Sequence, residues 1–171
     1  SGATCHLYDP AAPLTILPAA IARDHITVLQ GPPTFFRVFL GYAEDGEFPN
    51  VRLLTTGGEA LSPDLAEAMG RAFPSARLLF IYGMTEAGPR ISHEEYSMGS
   101  SRDGCVGKPY GHFELRVERF EGSPHPDAGR LCLRGPSMLL GYIGPDGLCS
   151  GLDDEGFHRT HDLVSLDEAG R

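Results

Sequence analysis

Apolar and polar positions fall into two textures along the chain. Up to about residue 96 they alternate between helical and strand periods. Leu14 to Arg23 reads as a helix, with Pro18 confined to a first turn because it has no N–H to donate. Ile26 to Gln30 is β-branched and apolar, a strand stopped by Gly31-Pro32-Pro33. Thr34 to Leu40 suits a short helix, and Gly41 to Asn50 a polar loop. Val51 to Thr56 is a second strand, ended by Gly57-Gly58. In "LSPDLAEAMGRAF", Ser62 is a natural N-cap, Pro63 suits the first helical position, and Asp64 and Glu67 lie near the positive helix end. Leu65, Met69, Ala72 and Phe73 complete its 3.6-residue stripe. Arg77 to Tyr82 is the third strand. Strands separated by helices predict a parallel sheet.

Beyond Ser92 the runs shorten and alternate. Residues 97–104 are small and polar and read as a connector. "FELRVERF" (113–120), "GRLCLRG" (129–135) and "MLLGYI" (138–143) are split by glycine and proline, the texture of a small antiparallel sheet or barrel. Residues 144–156 read as a Gly/Asp-rich loop, and "GFHRTHDLVSLDEAGR" as strand, turn, strand. The expected fold class is α/β. An incomplete parallel-sheet α/β subdomain over residues 1–96 precedes a partial, β-barrel-like antiparallel subdomain over 97–171.

Composition narrows the functional classes. The 171 residues carry a net charge of −9, and no basic face of the kind nucleic acid demands is evident. No run approaches the ~18 apolar residues of a membrane span. No secretory leader is visible at the N-terminus. Cys5, Cys105, Cys132 and Cys149 contain no C-x-x-C pair. They read as buried or half-buried thiols of a reducing, cytoplasmic protein rather than as disulfides or zinc ligands.

Candidate chemistry concentrates after the strands. Gly57-Gly58-Glu59-Ala60-Leu61 and Gly83-Met84-Thr85-Glu86 each follow a strand, at the carboxyl edge where α/β sheets bind ligands. Neither matches a Walker loop or G-x-G-x-x-G, and either is also ordinary strand-to-helix turn chemistry. Tyr82 offers a flat face to a base, or is a strand-end core aromatic. Thr85 can donate to a phosphate oxygen. Glu86 is a hard oxygen ligand suited to Mg²⁺, or a helix-start carboxylate. In "HRTHD", His158 and His161 would point to opposite faces of a strand, which argues against a metal pair. Asp162 is placed to accept two sugar hydroxyls. No G-x-S-x-G nucleophile is present.

"PPTFFRVFL", "VRLLTTGGEALSPDLAEAM", "YGMTEAGPRIS", "VGKPYGHFELRV", "GRLCLRGPSMLLGYI" and "DEGFHRTHDLVSLDEAGR" follow one another in that order. Their order and spacing resemble the AMP-forming adenylating enzymes: acyl-CoA synthetases, aryl-acid ligases and peptide-synthetase adenylation domains. "RGPSMLLGY" is more similar to the acyl- or aryl-CoA ligase branch. The resemblance implies ATP-dependent activation of a carboxylic acid as its acyl adenylate. Transfer to a thiol follows, on CoA or on the phosphopantetheine of a carrier protein. It implies that Tyr82 and Gly83 pack near adenine, with the Gly58-Glu59-Ala60 turn on the other side. Thr85 would contact the α-phosphate, Glu86 would bind Mg²⁺ and Asp162 would hold the ribose. Gln30, Thr56, Gly57, Ile81, Pro89 and Arg90 would match an acyl pocket for an apolar or aromatic acid.

Two positions depart from the family pattern. His161 stands where the family has glycine in a T-G-D motif, and Arg130 where it has glutamate. The family's phosphate loop, hinge arginine and C-terminal lysine have no counterpart among these residues. The expectation is therefore the central piece of such a ligase, catalysing little by itself. The alternative is a truncated, non-catalytic remnant serving as a binding or assembly module.

Overall fold

The computed structural model describes residues 2–9, 11–44, 46–96, 104–123 and 125–171. Strand β1 (Val28–Gln30), helix α2 (Pro33–Tyr42), strand β2 (Leu53–Gly57), helix α3 (Pro63–Ala72) and strand β3 (Arg77–Met84) follow a short first helix, α1 (Leu17–Arg23). β1, β2 and β3 lie side by side and parallel, in register Gln30↔Thr55 and Gly57↔Ile81. Two consecutive crossovers of the same hand put α2 and α3 on one face of the sheet. There Phe36, Phe39, Phe48 and Phe73 form an aromatic core with Val51, Leu54 and Met69. Local chemistry sets the helix starts. Pro33 opens α2, and the Ser62 hydroxyl accepts from the Leu65 N–H of α3.

The chain after β3 departs from the sequence reading. β3 does not lead into a helix. It turns at residues 85–87 and returns as β4 (Gly88–Tyr96), antiparallel to β3, with Gly88 at φ +96°. The second glycine turn is thus a β-hairpin, and the helix-start alternative for Glu86 is excluded. β5 (Lys108–Pro109) adds a fifth strand to the same sheet. It can approach β4 only because Gly107, at φ +79°, has no Cβ; one there would lie 1.8 Å from the His93 carbonyl oxygen.

A second sheet joins β6 (Glu114–Glu118), β7 (Gly129–Arg134) and β10 (His158–Val164) in the order β10-β7-β6, all antiparallel. Among the described residues this sheet is open, not closed as a barrel. Its inner face packs Leu131 and Leu133 with Phe113, Ala87 and Ile91. A small hairpin, β8 (Tyr142–Gly144) and β9 (Gly147–Cys149), extends into the loop expected at 144–156. Of the run 138–143, only its last two residues are strand. The C-terminal strand-turn-strand is instead the single strand β10, irregular between Arg159 and Leu163. Cys132 is buried and Cys105 half-buried, as expected, but Cys5 and Cys149 are exposed, unlike the buried or half-buried thiols expected there. Residues 97–103, the expected connector, lie outside the described residues. No described helix is long and apolar enough to cross a membrane.

Candidate functional site

The two sheets meet where the end of β3 faces the irregular stretch of β10. Tyr82 Oη donates to Asp162 Oδ2 at 2.5 Å, across 80 residues of sequence. Burial of the Tyr82 phenol, and then the Asp162 carboxylate beside it, raise its pKa above the ordinary tyrosine value. The irregularity in β10 positions the carboxylate. A Thr160 hydroxyl, itself buried, accepts from the Asp162 N–H at 3.0 Å, so that this N–H is bound within the turn. His161 is exposed within that turn. His158 is buried, its Nδ1 2.8 Å from the Gly151 carbonyl oxygen. The two histidines do not converge, and no cluster of three or more His, Cys, Asp or Glu side chains suited to a metal occurs among the described residues.

Glu86 sits in the β3–β4 turn, half-buried, beside the exposed Thr85. Residues 137–142 hold this turn from outside. The Leu139 N–H donates to the Glu86 carbonyl oxygen at 2.7 Å, and Ser137 Oγ to that of Ala87 at 2.7 Å. Tyr142 Oη donates to Glu86 Oε1 at 3.1 Å. The Tyr142 phenol is raised above its ordinary value, by desolvation first and the Glu86 contact second. Among the described residues no lysine or arginine is ion-paired with Glu86. A lone carboxylate at a turn, outside any protein cage, fits Mg²⁺, which keeps most of its waters and takes substrate phosphates as further ligands.

The first glycine turn is built differently. A Cβ at Gly57 would lie 2.2 Å from the Ile81 carbonyl oxygen, so glycine alone lets β2 end so close to β3. Gly58 follows at φ +83° with open space around it. Glu59 reaches across to the start of α2, accepting from Thr34 Oγ1 at 3.1 Å and from the Thr34 N–H at 3.3 Å. A carboxylate at a helix N-terminus is favourable in itself, which already accounts for Glu59. Ala60 is exposed beside it.

A cleft of about 890 Å³ opens between the sheets, lined by Tyr82, Asp162, Ser92, Ile91, Leu115 and Leu131 among others. Of the sequence-predicted residues, Tyr82 and Asp162 line it; Gly58, Glu59, Thr85 and Glu86 do not. The six acyl-pocket candidates also lie outside its lining. Thr56 and Ile81 are buried in the sheet, Gln30, Pro89 and Arg90 are exposed, and Gly57 lies between. Thr56 Oγ1 is buried without a hydrogen-bond partner among the described residues. Sequence reasoning missed Thr160, Ser137 and Tyr142. Thr160 carried a signal, a threonine two residues before the aspartate it turns. Tyr142 carried none, being 56 residues from Glu86.

A family profile described as "AMP-binding enzyme" matches residues 1–143. A methyl-dioxo-octahydro-indenyl-propanoyl:CoA ligase of Mycobacterium tuberculosis is 31% identical over 99% of this chain and 32% of its own length. A probable CoA ligase of Humulus lupulus is 36% identical over 86% of this chain and 26% of its own. An anthranilate CoA ligase, solved in complex with anthranoyl-AMP, superposes with a TM-score of 0.77 at 25% identity, covering 99% of this chain and 33% of that one. The chain thus spans about a quarter to a third of the length of these two curated relatives.

Proposed function

The chain belongs to the AMP-binding enzyme family, and from that premise we propose that it forms the nucleotide-facing part of an AMP-forming carboxylate–thiol ligase. The observation that carries this reading is the Tyr82–Asp162 hydrogen bond. It joins the "YGMTE" hairpin to the distant "HRTHD" strand and makes one site of two motifs, at the mouth of the inter-sheet cleft.

In this reading Asp162 accepts the ribose hydroxyls through the oxygen that Tyr82 leaves free. The Tyr82 ring, held by that same bond, flanks adenine, with Gly83 behind it and Gly58, Glu59 and Ala60 on the far side. The open backbone at Gly58 permits close approach of the base. Thr85, exposed beside Glu86, donates to the α-phosphate. Mg²⁺, when bound, neutralises phosphate charge, and Glu86 is the residue here that would hold it. The acid's carboxylate oxygen attacks the α-phosphorus, pyrophosphate leaves with the electrons of the broken P–O bond, and the acyl adenylate forms. A thiol then takes the acyl group and AMP departs. The chain's part is positioning and charge stabilisation, which is most of what phosphoryl chemistry asks of a protein.

The relatives named as CoA ligases support CoA as the acceptor, with a carrier-protein phosphopantetheine the other thiol of the same chemistry. The acid is apolar or aromatic, seated near the carboxyl ends of β1–β3, where Gln30, Thr56, Gly57, Ile81, Pro89 and Arg90 stand. The setting is cytoplasmic, where ATP and CoA are available.

The test is ATP–pyrophosphate exchange by the full-length protein with a panel of aliphatic and aryl acids. At least one acid should stimulate exchange, and Glu86→Gln should lower that rate on the order of 100-fold. Exchange with no acid overturns the reading, and a near-unchanged rate in Glu86→Gln removes Glu86 as the magnesium residue.

A further inference from the structure

Glu86 is not held by its own hairpin alone. Its carbonyl oxygen, its carboxylate and the next carbonyl oxygen are each bonded by residues 137–142, a segment more than fifty positions downstream in which Tyr142 takes Oε1. The Tyr142 ring is itself seated. Its backbone pairs with Cys149 in the β8–β9 hairpin. The hairpin closes there because Gly141 has no Cβ; one would meet the Cys149 carbonyl oxygen at 2.4 Å. The ring lies against Gly151, where a Cβ would be 2.9 Å from Tyr142 Cε2. Beyond it stands the buried His158, ring centroids 6.4 Å apart, fixed by its own bond to the Gly151 carbonyl.

We propose that Tyr142 is a positioning residue for Glu86: by holding Oε1 from a fixed ring, it fixes the rotamer that turns Oε2 toward the divalent cation of the nucleotide complex. The inference rests on reading Glu86 as the magnesium residue. An ionised carboxylate has about four lone-pair sites, so one phenol bond leaves it fully able to bind metal. Metal-binding carboxylates are commonly oriented by such an outer hydrogen bond, whose loss costs about 10- to 100-fold in metal affinity. Glutamate at a turn otherwise has three free torsions. The ring, half exposed but packed against Gly151, adds a side-chain restraint to the backbone bonds that Leu139 and Ser137 already give the turn.

The experiment measures Mn²⁺ binding by electron paramagnetic resonance, in the full-length protein with a non-hydrolysable ATP analogue. Wild type is compared with Tyr142→Phe, Gly151→Ala, Glu86→Gln and the Tyr142→Phe/Glu86→Gln double variant. Tyr142→Phe should weaken Mn²⁺ binding about tenfold, with metal-free nucleotide affinity and melting temperature unchanged. Gly151→Ala, which keeps the phenol but displaces its ring, should weaken binding in the same direction. The double variant should be no weaker than Glu86→Gln alone, because Tyr142 acts only through Glu86. Unchanged or tighter binding in Tyr142→Phe, with Glu86→Gln weakened, overturns the positioning role and leaves the Glu86 reading standing. Unchanged binding in Glu86→Gln overturns both. Additive losses in the double variant also overturn the positioning role.

Discussion

The Tyr82 phenol donates to Asp162 while its ring packs against the apolar cluster that contains Ile91 and Leu131, so one side chain ties the cleft lining together. Removing only the hydroxyl separates these roles. Tyr82→Phe keeps the ring but frees the Asp162 carboxylate to rotate, since Thr160 restrains only its backbone. The expected outcome is a rise in KM for ATP of roughly three- to tenfold, at the low end for a charged hydrogen bond because Asp162 is exposed. The value of kcat should change less. Steady-state kinetics at saturating acid measures this, and an unchanged KM would show that the bond does not orient the carboxylate. The residue types at both ends were legible in the sequence. That their side chains touch was not, because nothing in a strand pattern says which distant strand end it will face.

Elements owe their placement to ties between loops. The turn before β10 closes on Asp153, whose Oδ1 accepts from the Glu155 and Phe157 N–H groups while Oδ2 is ion-paired with Arg116. Arg116 also bonds Glu155 and lies 4.6 Å from the centroid of the Phe157 ring. The Phe157 N–H first, with the Glu155 N–H and the Arg116 guanidinium, holds the Asp153 carboxyl below its usual range against the opposing effect of desolvation. A depressed native value favours the folded state wherever the unfolded carboxylate would be ionised. This contribution is therefore present above about pH 3.9 and lost as the pH falls below it toward the native value. Asp153→Asn should flatten part of the fall in melting temperature between about pH 4 and pH 2, measured by circular dichroism. The same slope in both proteins would remove Asp153 from the acid response. The sequence announced a Gly/Asp loop here, but not its guanidinium partner on β6.

Among the described residues, two apolar clusters are joined by the β3–β4 hairpin. β3 contributes Leu78 to the aromatic cluster under α2 and α3, and β4 contributes Ile91 to the cluster under the second sheet. Phe73 stacks on Phe39 and lies tilted against Phe48, at centroid distances of 5.7 and 5.3 Å, and is almost fully buried. Phe73→Ala should cost about 3–5 kcal/mol, seen by urea unfolding. Because the β3–β4 hairpin spans both clusters, the loss should appear as one shifted transition by every probe. A transition that splits between probes would show the clusters unfolding separately.

The sequence by itself determined what depends on neighbours along the chain. The capped start of α3, the proline entry to α2, the glycine end of β2 and the order of family motifs follow from local period, φ restrictions and hydrogen-bonding side chains. Only the tertiary structure decided that Thr85–Glu86 lies in a β-hairpin rather than before a helix, since the same turn residues serve both until β4 finds its antiparallel partner. It alone joined Tyr82 to Asp162 and Tyr142 to Glu86, contacts 80 and 56 residues apart. The first pair forms where the two larger sheets close on a shared apolar layer, the second where the β8–β9 hairpin lies against the β3–β4 turn. That layer specifies which faces meet, and the polar contacts at its edge follow from the closure.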